Sequence, residues 1–313
     1  MANEAIHKEL VAINNRQLEN YICVDDCLIY HYTSPLALNG ILSNHTLRFT
    51  DRNYLNDYSE GRYVLELCLK SRFELRLPKE HRGYFKEYCQ KLFNNPSKKK
   101  RYIYQCSFSI QDDNLSLWNY YTKSDGIKGY NIGFNSQELS DNLVTHATTE
   151  RRGIKVFHGK VTYSIQQQKA IIKKIANDFK EIIETNKNDV DFCKLAIELL
   201  VEKILFVGAF FKDPHFKHEH EYRLLLHLTP YWDTNEKCIK FMVLQKGTNT
   251  YEKNGLLIPY IDIEFPKDNL RSLFVSPTLS FDETESNLVN ALKLHGYNIN
   301  IIQISKSNIP VRY

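Results

Sequence analysis

Two short segments carry the residue types that catalysis needs. Tyr30-His31-Tyr32-Thr33-Ser34 lies near the start of the chain, and Glu219-His220-Glu221-Tyr222-Arg223 lies late in it. Each sets polar groups among apolar neighbours, as a strand end does where it opens into a cleft. His31, beside the hydroxyls of Thr33 and Ser34, suits hydrogen bonding to a ribose hydroxyl. The other account of this segment is a hydrogen-bonded strand histidine, with Ser34 as a helix cap. In the late segment, strand alternation puts Glu219, Glu221 and Arg223 on one face, and His220, Tyr222 and Leu224 on the other. A carboxylate at the end of a buried strand is unfavourable unless it is paired or used. Pairing with Arg223 is one answer and catalysis the other, and the residues alone leave both open.

Further candidates lie between these segments. Asp57-x-x-Glu60 has the spacing of a capping box, which leaves Asn56 free to reach a ligand from its loop. In Gln105-Cys106-Ser107-Phe108-Ser109, the two serines share one strand face and line a polar cleft or meet water. Trp118 and Tyr121 are three apart and share a helix face, as a buried aromatic pair or as a lid over a nucleotide ring. His215, His218 and His220 with Glu219 and Glu221 are a rival, metal-binding set, but they lack a helical His-x-x-x-His pair. Cys23 and Cys27 have no second pair to complete a zinc site. Lys98-Lys99-Lys100-Arg101 reads as a solvated loop or as a contact to phosphates.

The elements that must position these groups follow from periodicity. Strands are expected over Cys27–Thr33, Thr46–Phe49, Ile103–Ser109, Gly129–Phe134, Phe206–Lys212, Tyr222–Leu228, Cys238–Leu244, Ser272–Ser276 and Asn298–Ile304. Helices are expected over residues 5–20, Leu36–Ser43, Asp57–Phe73, Lys79–Phe93, Asn114–Tyr121 and Asp282–His295. A further helical pair over 165–206 breaks near Asn186–Asp189.

Composition bounds the rest. A chain of 313 residues suits one large domain, and 20 tyrosines with 17 phenylalanines can fill a sizeable core. The net charge of +4 allows nucleotide or nucleic-acid partners without requiring them. Met1-Ala2-Asn3-Glu4 opens without a signal-peptide pattern. Glu198, Glu202 and Lys203 interrupt the apolar run Leu195–Phe211, which therefore reads as a core helix running into a strand rather than a membrane span. Seven cysteines, an odd number without framework spacing, point to reduced thiols in a cytoplasm.

The ordered set Tyr30-His31-Tyr32-Thr33-Ser34, Leu55-Asn56-Asp57-x-x-Glu60, Cys106-x-Phe108-Ser109, Trp118-x-x-Tyr121, Gly129-x-x-Ile132-Gly133-Phe134, Glu219-x-Glu221-Tyr222-Arg223 and Ser307-x-x-Pro310-x-Arg312 resembles a widespread bacterial domain-of-unknown-function family, over roughly residues 28–312. Members of that family are similar to proteins of abortive-infection, anti-phage systems. The family is in turn remotely similar to the ADP-ribosyltransferase fold, a split, two-sheet sandwich that binds NAD in a cleft. The resemblance implies an α+β chain with one domain over 1–313, the ADP-ribosyltransferase-like core and a helical insertion at 165–206. It implies NAD as substrate, with His31 on the adenosine-side ribose and Ser107 and Ser109 as the Ser-x-Ser of the middle strand. Glu221 would bond the nicotinamide ribose and stabilise the oxocarbenium-like centre, and Glu219 would activate the acceptor. Tyr32, Thr33, Ser34, Asn56, Trp118, Tyr121 and Arg223 complete the implied NAD-binding set.

The function expected on this basis is a cytoplasmic bacterial defence effector that cleaves NAD. It moves ADP-ribose to a protein, to a nucleic acid or to water, with no membrane partner. The insertion would serve as a target-recognition element or a dimer surface, and a homodimer or an antitoxin partner is compatible with it. The rivals are a non-catalytic nucleic-acid- or protein-binding module of the same fold, and a metal-dependent nuclease centred on 215–221.

Overall fold

Leu28–Thr33 forms the first strand, β1, and Ser34 ends it by capping the next helix. The Ser34 hydroxyl accepts from the Ala37 amide, and Pro35 takes the first helical position, where no amide hydrogen is needed. This is a computed structural model, and it describes residues 10, 18–54, 60–94, 103–122, 127–150, 154–228, 230–233, 238–241, 249–253 and 255–311. Asn56, Asp57, Arg312 and the basic run Lys98–Arg101 lie outside the described residues, as does most of the expected helix at 5–20.

In chain order, α1 (Pro35–Asn44), β2 (Thr46–Asp51), α2 (Glu60–Lys70) and α3 (Arg82–Asn94) lead to β3 (Ile103–Ser109). Asn114 then caps α4 (Leu115–Tyr121) by accepting from the Ser116 and Leu117 amides. β4 (Tyr130–Asn135), α5 (Ser136–Glu150) and β5 (Ile154–Lys160) follow. Ser164 caps α6 (Ile165–Thr185) and Asp189 caps α7 (Val190–Val207). The chain continues through β6 (Glu221–Leu228), the hairpin of β7 (Pro230–Asp233) and β8 (Cys238–Phe241), β9 (Asn249–Lys253), β10 (Leu256–Glu264), β11 (Leu270–Val275), α8 (Phe281–Leu294) and β12 (Gln303–Lys306).

The mixture of helices and strands is as expected, but the strands join differently. Ten of them form one open sheet, antiparallel throughout except for β11 beside β12. Where two sheets were expected, the arms are hydrogen-bonded through a shared strand, β3. One edge of β3 pairs along its length with β6, and β6 pairs with β5. The other edge is divided. β2 pairs at Tyr104 and Gln105 and leads to β10 and β9, whereas β1 pairs at Ser109 and leads to β4, β11 and β12. The sheet therefore forks, and among the described residues no strand lies beside the middle of β3 on this edge.

Helices cover both faces. Leu38 and Leu42 of α1, Leu139 and Leu143 of α5, and Leu288 and Leu292 of α8 pack with Ile29, Phe108, Phe134 and Tyr222 on one face. On the other, α2, α3, α6 and α7 build a larger core over Phe157 and Leu225. A separate small cluster of Tyr30, Tyr32, Leu117, Trp118 and Ile127 sits beneath α4. β6 is covered on both faces, which explains its run Leu224–Leu226: Leu225 enters one core, and Leu224 and Leu226 the other. α6 buries Gln168, Ile172, Ile175, Ala176, Phe179 and Ile183 at helical spacing. The break between α6 and α7 falls at 186–189 as expected, and the pair connects two neighbouring antiparallel strands. Among the described residues, no helix is long and apolar enough to cross a membrane.

The strand expected at 206–212 is not formed. α7 runs on to Val207, a 3-10 turn takes Gly208–Phe210, and Phe211 makes one isolated bridge with Thr162. A short apolar run fits a buried helix end as well as a buried strand, and here the core on both sides of α7 decides for the helix. The last expected strand begins late for a similar reason: Ile299–Ile301 is a 3-10 turn capped by Asn298.

Candidate active site

The fork opens into a cleft of about 430 Å³. Its floor is β3, where alternation points Gln105, Ser107 and Ser109 the same way. Tyr32 and Tyr121 stand on one side, Lys212, Glu219 and Glu221 on another, and Arg48 and Tyr251 on a third. Where the fork leaves β3 without a strand neighbour, His31 supplies the missing partner: its Nδ1 lies 2.9 Å from the Ser107 carbonyl oxygen. A carbonyl only accepts, so the proton sits on Nδ1 and Nε2 carries the lone pair. Burial holds the imidazole below its ordinary pKa, against the opposing effect of this bond, so the ring is neutral.

Glu219 and Glu221 converge on one lysine. Lys212 Nζ lies 2.5 Å from Glu219 Oε2 and 3.2 Å from Glu221 Oε2. Glu219 is not on the strand, as alternation had suggested. It closes the 3-10 turn Pro214–Glu219, and His220 follows with a positive φ of 46° before β6 starts. That left-handed residue turns the chain so that both carboxylates reach the same cation. Arg223 grips Glu221 from below, donating from Nε to Oε1 at 2.8 Å and from NH2 to Oε2 at 2.7 Å. Its NH1 donates to the Ala209 carbonyl at the end of α7.

These surroundings push the two carboxylates apart in acidity. For Glu221, burial raises the pKa, but the charges of Arg223 and Lys212, with hydrogen bonds from Arg223 and Ser107, overcome it and leave it at about 2. For Glu219, burial outweighs the pull of Lys212, and the Glu221 charge adds to it, so its pKa is raised. The signs give a test. An unfolded glutamate titrates near about 4.3, so the stability from Glu221 is present above that value and fades as pH falls toward its folded one. Glu219 acts oppositely: its ionised form weakens the fold at neutral pH, and protonation on acidification relieves this. Urea unfolding midpoints measured from pH 6 to pH 3 should therefore fall less steeply below about pH 4.3 in Glu221→Gln than in the wild type. An unchanged acid slope would contradict the ionised state of Glu221.

Residues 117–224 match the family model described as a protein of unknown function (DUF2971). The match runs from α4 into β6. It takes in Trp118, Tyr121, Lys212, Glu219, Glu221 and Arg223, is shorter than the 28–312 span of the expected resemblance, and leaves His31 and the β3 serines outside. No curated protein and no solved structure matches the chain.

Of the residues singled out in the sequence, His31, Tyr32, Ser107, Ser109, Tyr121, Glu219 and Glu221 line the cleft. The others that the structure describes lie off it. Thr33 is buried, and Ser34 is occupied in capping α1. Trp118 is fully buried against Tyr32, with its indole N–H on Asp113, so it anchors the core where a lid was one expectation. Arg223 is fully buried and serves Glu221. Ser109 lines the cleft but spends its hydroxyl on the Glu219 carbonyl, fixing the turn that carries Glu219. In the metal-binding set, His215 bonds Asp213 and His218 bonds the His215 carbonyl. Among the described residues, no group of three or more His, Cys, Asp or Glu is placed to hold a metal ion.

Lys212 was missed, and its signal was weak: one cation closing an apolar run, seven and nine residues ahead of the glutamates. Asp113 was also missed. It accepts from Trp118 Nε1 at 2.7 Å, from the Ser307 hydroxyl at 2.7 Å and from the Asn308 amide at 2.8 Å. One carboxylate thus ties the C-terminal segment to the loop that leads into α4. Asp113→Ala should reduce stability by roughly 3 kcal/mol, since hydrogen bonds to a charged acceptor contribute more than neutral ones. Amide exchange would report the same loss as faster exchange at 307–311. Protection equal to the wild type would argue against the tether.

Proposed function

We propose that this protein is an ADP-ribosyltransferase-like enzyme. It breaks the bond between C1′ of the nicotinamide ribose and the nicotinamide nitrogen of NAD, and passes ADP-ribose to a macromolecular acceptor or to water. The observation that carries this reading is the pair of carboxylates sharing Lys212 in the cleft, one held ionised and the other raised. Two carboxyl groups pushed apart by their surroundings can divide the work of stabiliser and base. As the glycosidic bond breaks, its electron pair leaves with nicotinamide and positive charge grows on C1′ and the ring oxygen. A fixed carboxylate at Glu221 favours that charged state over the ground state. Glu219 takes the proton from the acceptor as its oxygen or nitrogen bonds C1′.

The neutral His31, with its lone pair on Nε2, accepts from a ribose hydroxyl on the adenosine side. Tyr32 and Tyr121 offer aromatic surface to a planar ring. The cavity also falls in the range of small-molecule pockets, roughly 300–1,000 Å³. The resemblance supplies the biological setting, a bacterial stress or phage-defence effector.

The test incubates the purified protein with NAD and a cell lysate and measures free nicotinamide, with Glu221→Gln as control. Release by the wild type, lost in the variant, supports the reading. Equal release by both removes Glu221 from the chemistry. If NAD binds but no nicotinamide forms, the cleft belongs to a non-catalytic binding module.

A further inference from the structure

The cleft wall contains a group that no described residue satisfies. Gln105 is 3% exposed, and its Oε1 is buried without a hydrogen-bond partner. Among the described residues with such an unpaired buried atom, it is the one that lines this cleft. An unpaired buried acceptor weakens a fold, so its presence calls for a reason.

The orientation of the amide follows from its neighbours. Gln105 Nε2 donates to the Ser107 hydroxyl oxygen at 2.9 Å. The amide nitrogen is committed to Ser107, and the carbonyl end is left over. Gln105, Ser107 and Glu221 line the cleft together. Beside the cleft, His31 Nε2 is a further acceptor. The acceptors Gln105 Oε1, Glu221 and His31 Nε2 suit a ligand that presents neighbouring donors, and a sugar with adjacent hydroxyls is such a ligand.

We propose that Gln105 is a specificity-determining residue of the cleft: its side-chain carbonyl accepts from one hydroxyl of a ribose whose neighbouring hydroxyl is held by Glu221. The second half of that statement rests on the function proposed above, while the unpaired carbonyl stands without it. A site built to bond a hydroxyl discriminates strongly against the analogue that lacks it, because its own polar group is then left without a partner.

The test uses the full chain and three probes: ADP-ribose and its terminal 2-deoxy and 3-deoxy forms. Dissociation constants are measured for the wild type and for Gln105→Met, which keeps the length and removes the acceptor, together with thermal midpoints. The wild type is expected to bind ADP-ribose at least about tenfold more tightly than one of the two deoxy forms. Gln105→Met is expected to lose that preference while its thermal midpoint holds or rises, because the unpaired acceptor is gone. A residue serving only the fold would lower the midpoint and weaken all three ligands together, and that result overturns the proposal. So does a variant that keeps the full wild-type preference against both deoxy forms, or a wild type that binds none of the probes. Discrimination lost in Gln105→Met with no NAD cleavage by the wild type would leave the diol site standing and remove the transferase reading. NAD cleavage with discrimination intact in Gln105→Met would do the reverse.

Discussion

Replacing Arg223 with methionine is expected to lower the free energy of unfolding by about 3–5 kcal/mol, the loss typical of breaking a buried ion pair from one side. Arg223 is fully enclosed, and two of its nitrogens are spent on Glu221. Removing it leaves a buried carboxylate with Lys212 and Ser107 in place of a fork-to-fork pairing. It also releases the Ala209 carbonyl, which Arg223 NH1 holds at the end of α7. Denaturant unfolding of three proteins separates these effects. If the uncompensated charge dominates, Arg223→Met combined with Glu221→Leu should recover most of the loss, since an apolar pair fills the same space without desolvating ions. If the Ala209 contact dominates, the double variant stays as weak as the single one. A single variant as stable as the wild type would mean that the buried network does not order this end of β6.

Much of the fold was legible because its periodicities are local. Leu28–Thr33, Ile103–Ser109 and Glu221–Leu228 read as strands from their own residues, and so did the helix pair with its break near Asn186. The fork was not legible. It depends on which residues of β1 and β2 meet β3, at Ser109 and Gln105 respectively, and nothing within any of the three segments encodes that register. The site divides the same way. His31 and Glu221 stood out as polar groups at strand ends, and they share the cleft. Trp118, Arg223 and Ser34 stood out as well, but a buried indole, a buried guanidinium and a capping hydroxyl use the same residue types for structure. Lys212 escaped notice because its partners come from a turn and a strand that only the left-handed His220 brings together. Gln105 carries no local signal, since an unpaired carbonyl is a property of the packed state.

If the proposed reaction is the right one, Glu221→Gln lowers the rate constant of NAD cleavage roughly 10²–10³-fold with a much smaller change in KM, as removal of one preorganised electrostatic partner does elsewhere. The side chains match in shape, so substrate binding is largely kept. What disappears is the negative charge beside the centre where positive charge develops, and only the transition state feels that loss fully. The neutral amide also leaves Arg223 and Lys212 with fewer anionic acceptors, so the variant will be less stable than the wild type. Rates should therefore be compared at a temperature where circular dichroism shows both proteins folded. Glu219→Gln separates the two carboxylates. If Glu219 only prepares the acceptor, its loss slows transfer to a macromolecule while spontaneous hydrolysis of the intermediate continues, so nicotinamide release outlasts acceptor labelling. His31→Gln should show the complementary pattern, a raised KM with a modest change in the rate constant, because in the proposed reaction the neutral imidazole serves binding rather than charge stabilisation. A Glu221→Gln variant that turns over NAD within about threefold of the wild type would leave the carboxylate as a structural counter-ion for Arg223 and Lys212, and would move the chemistry off β6 altogether.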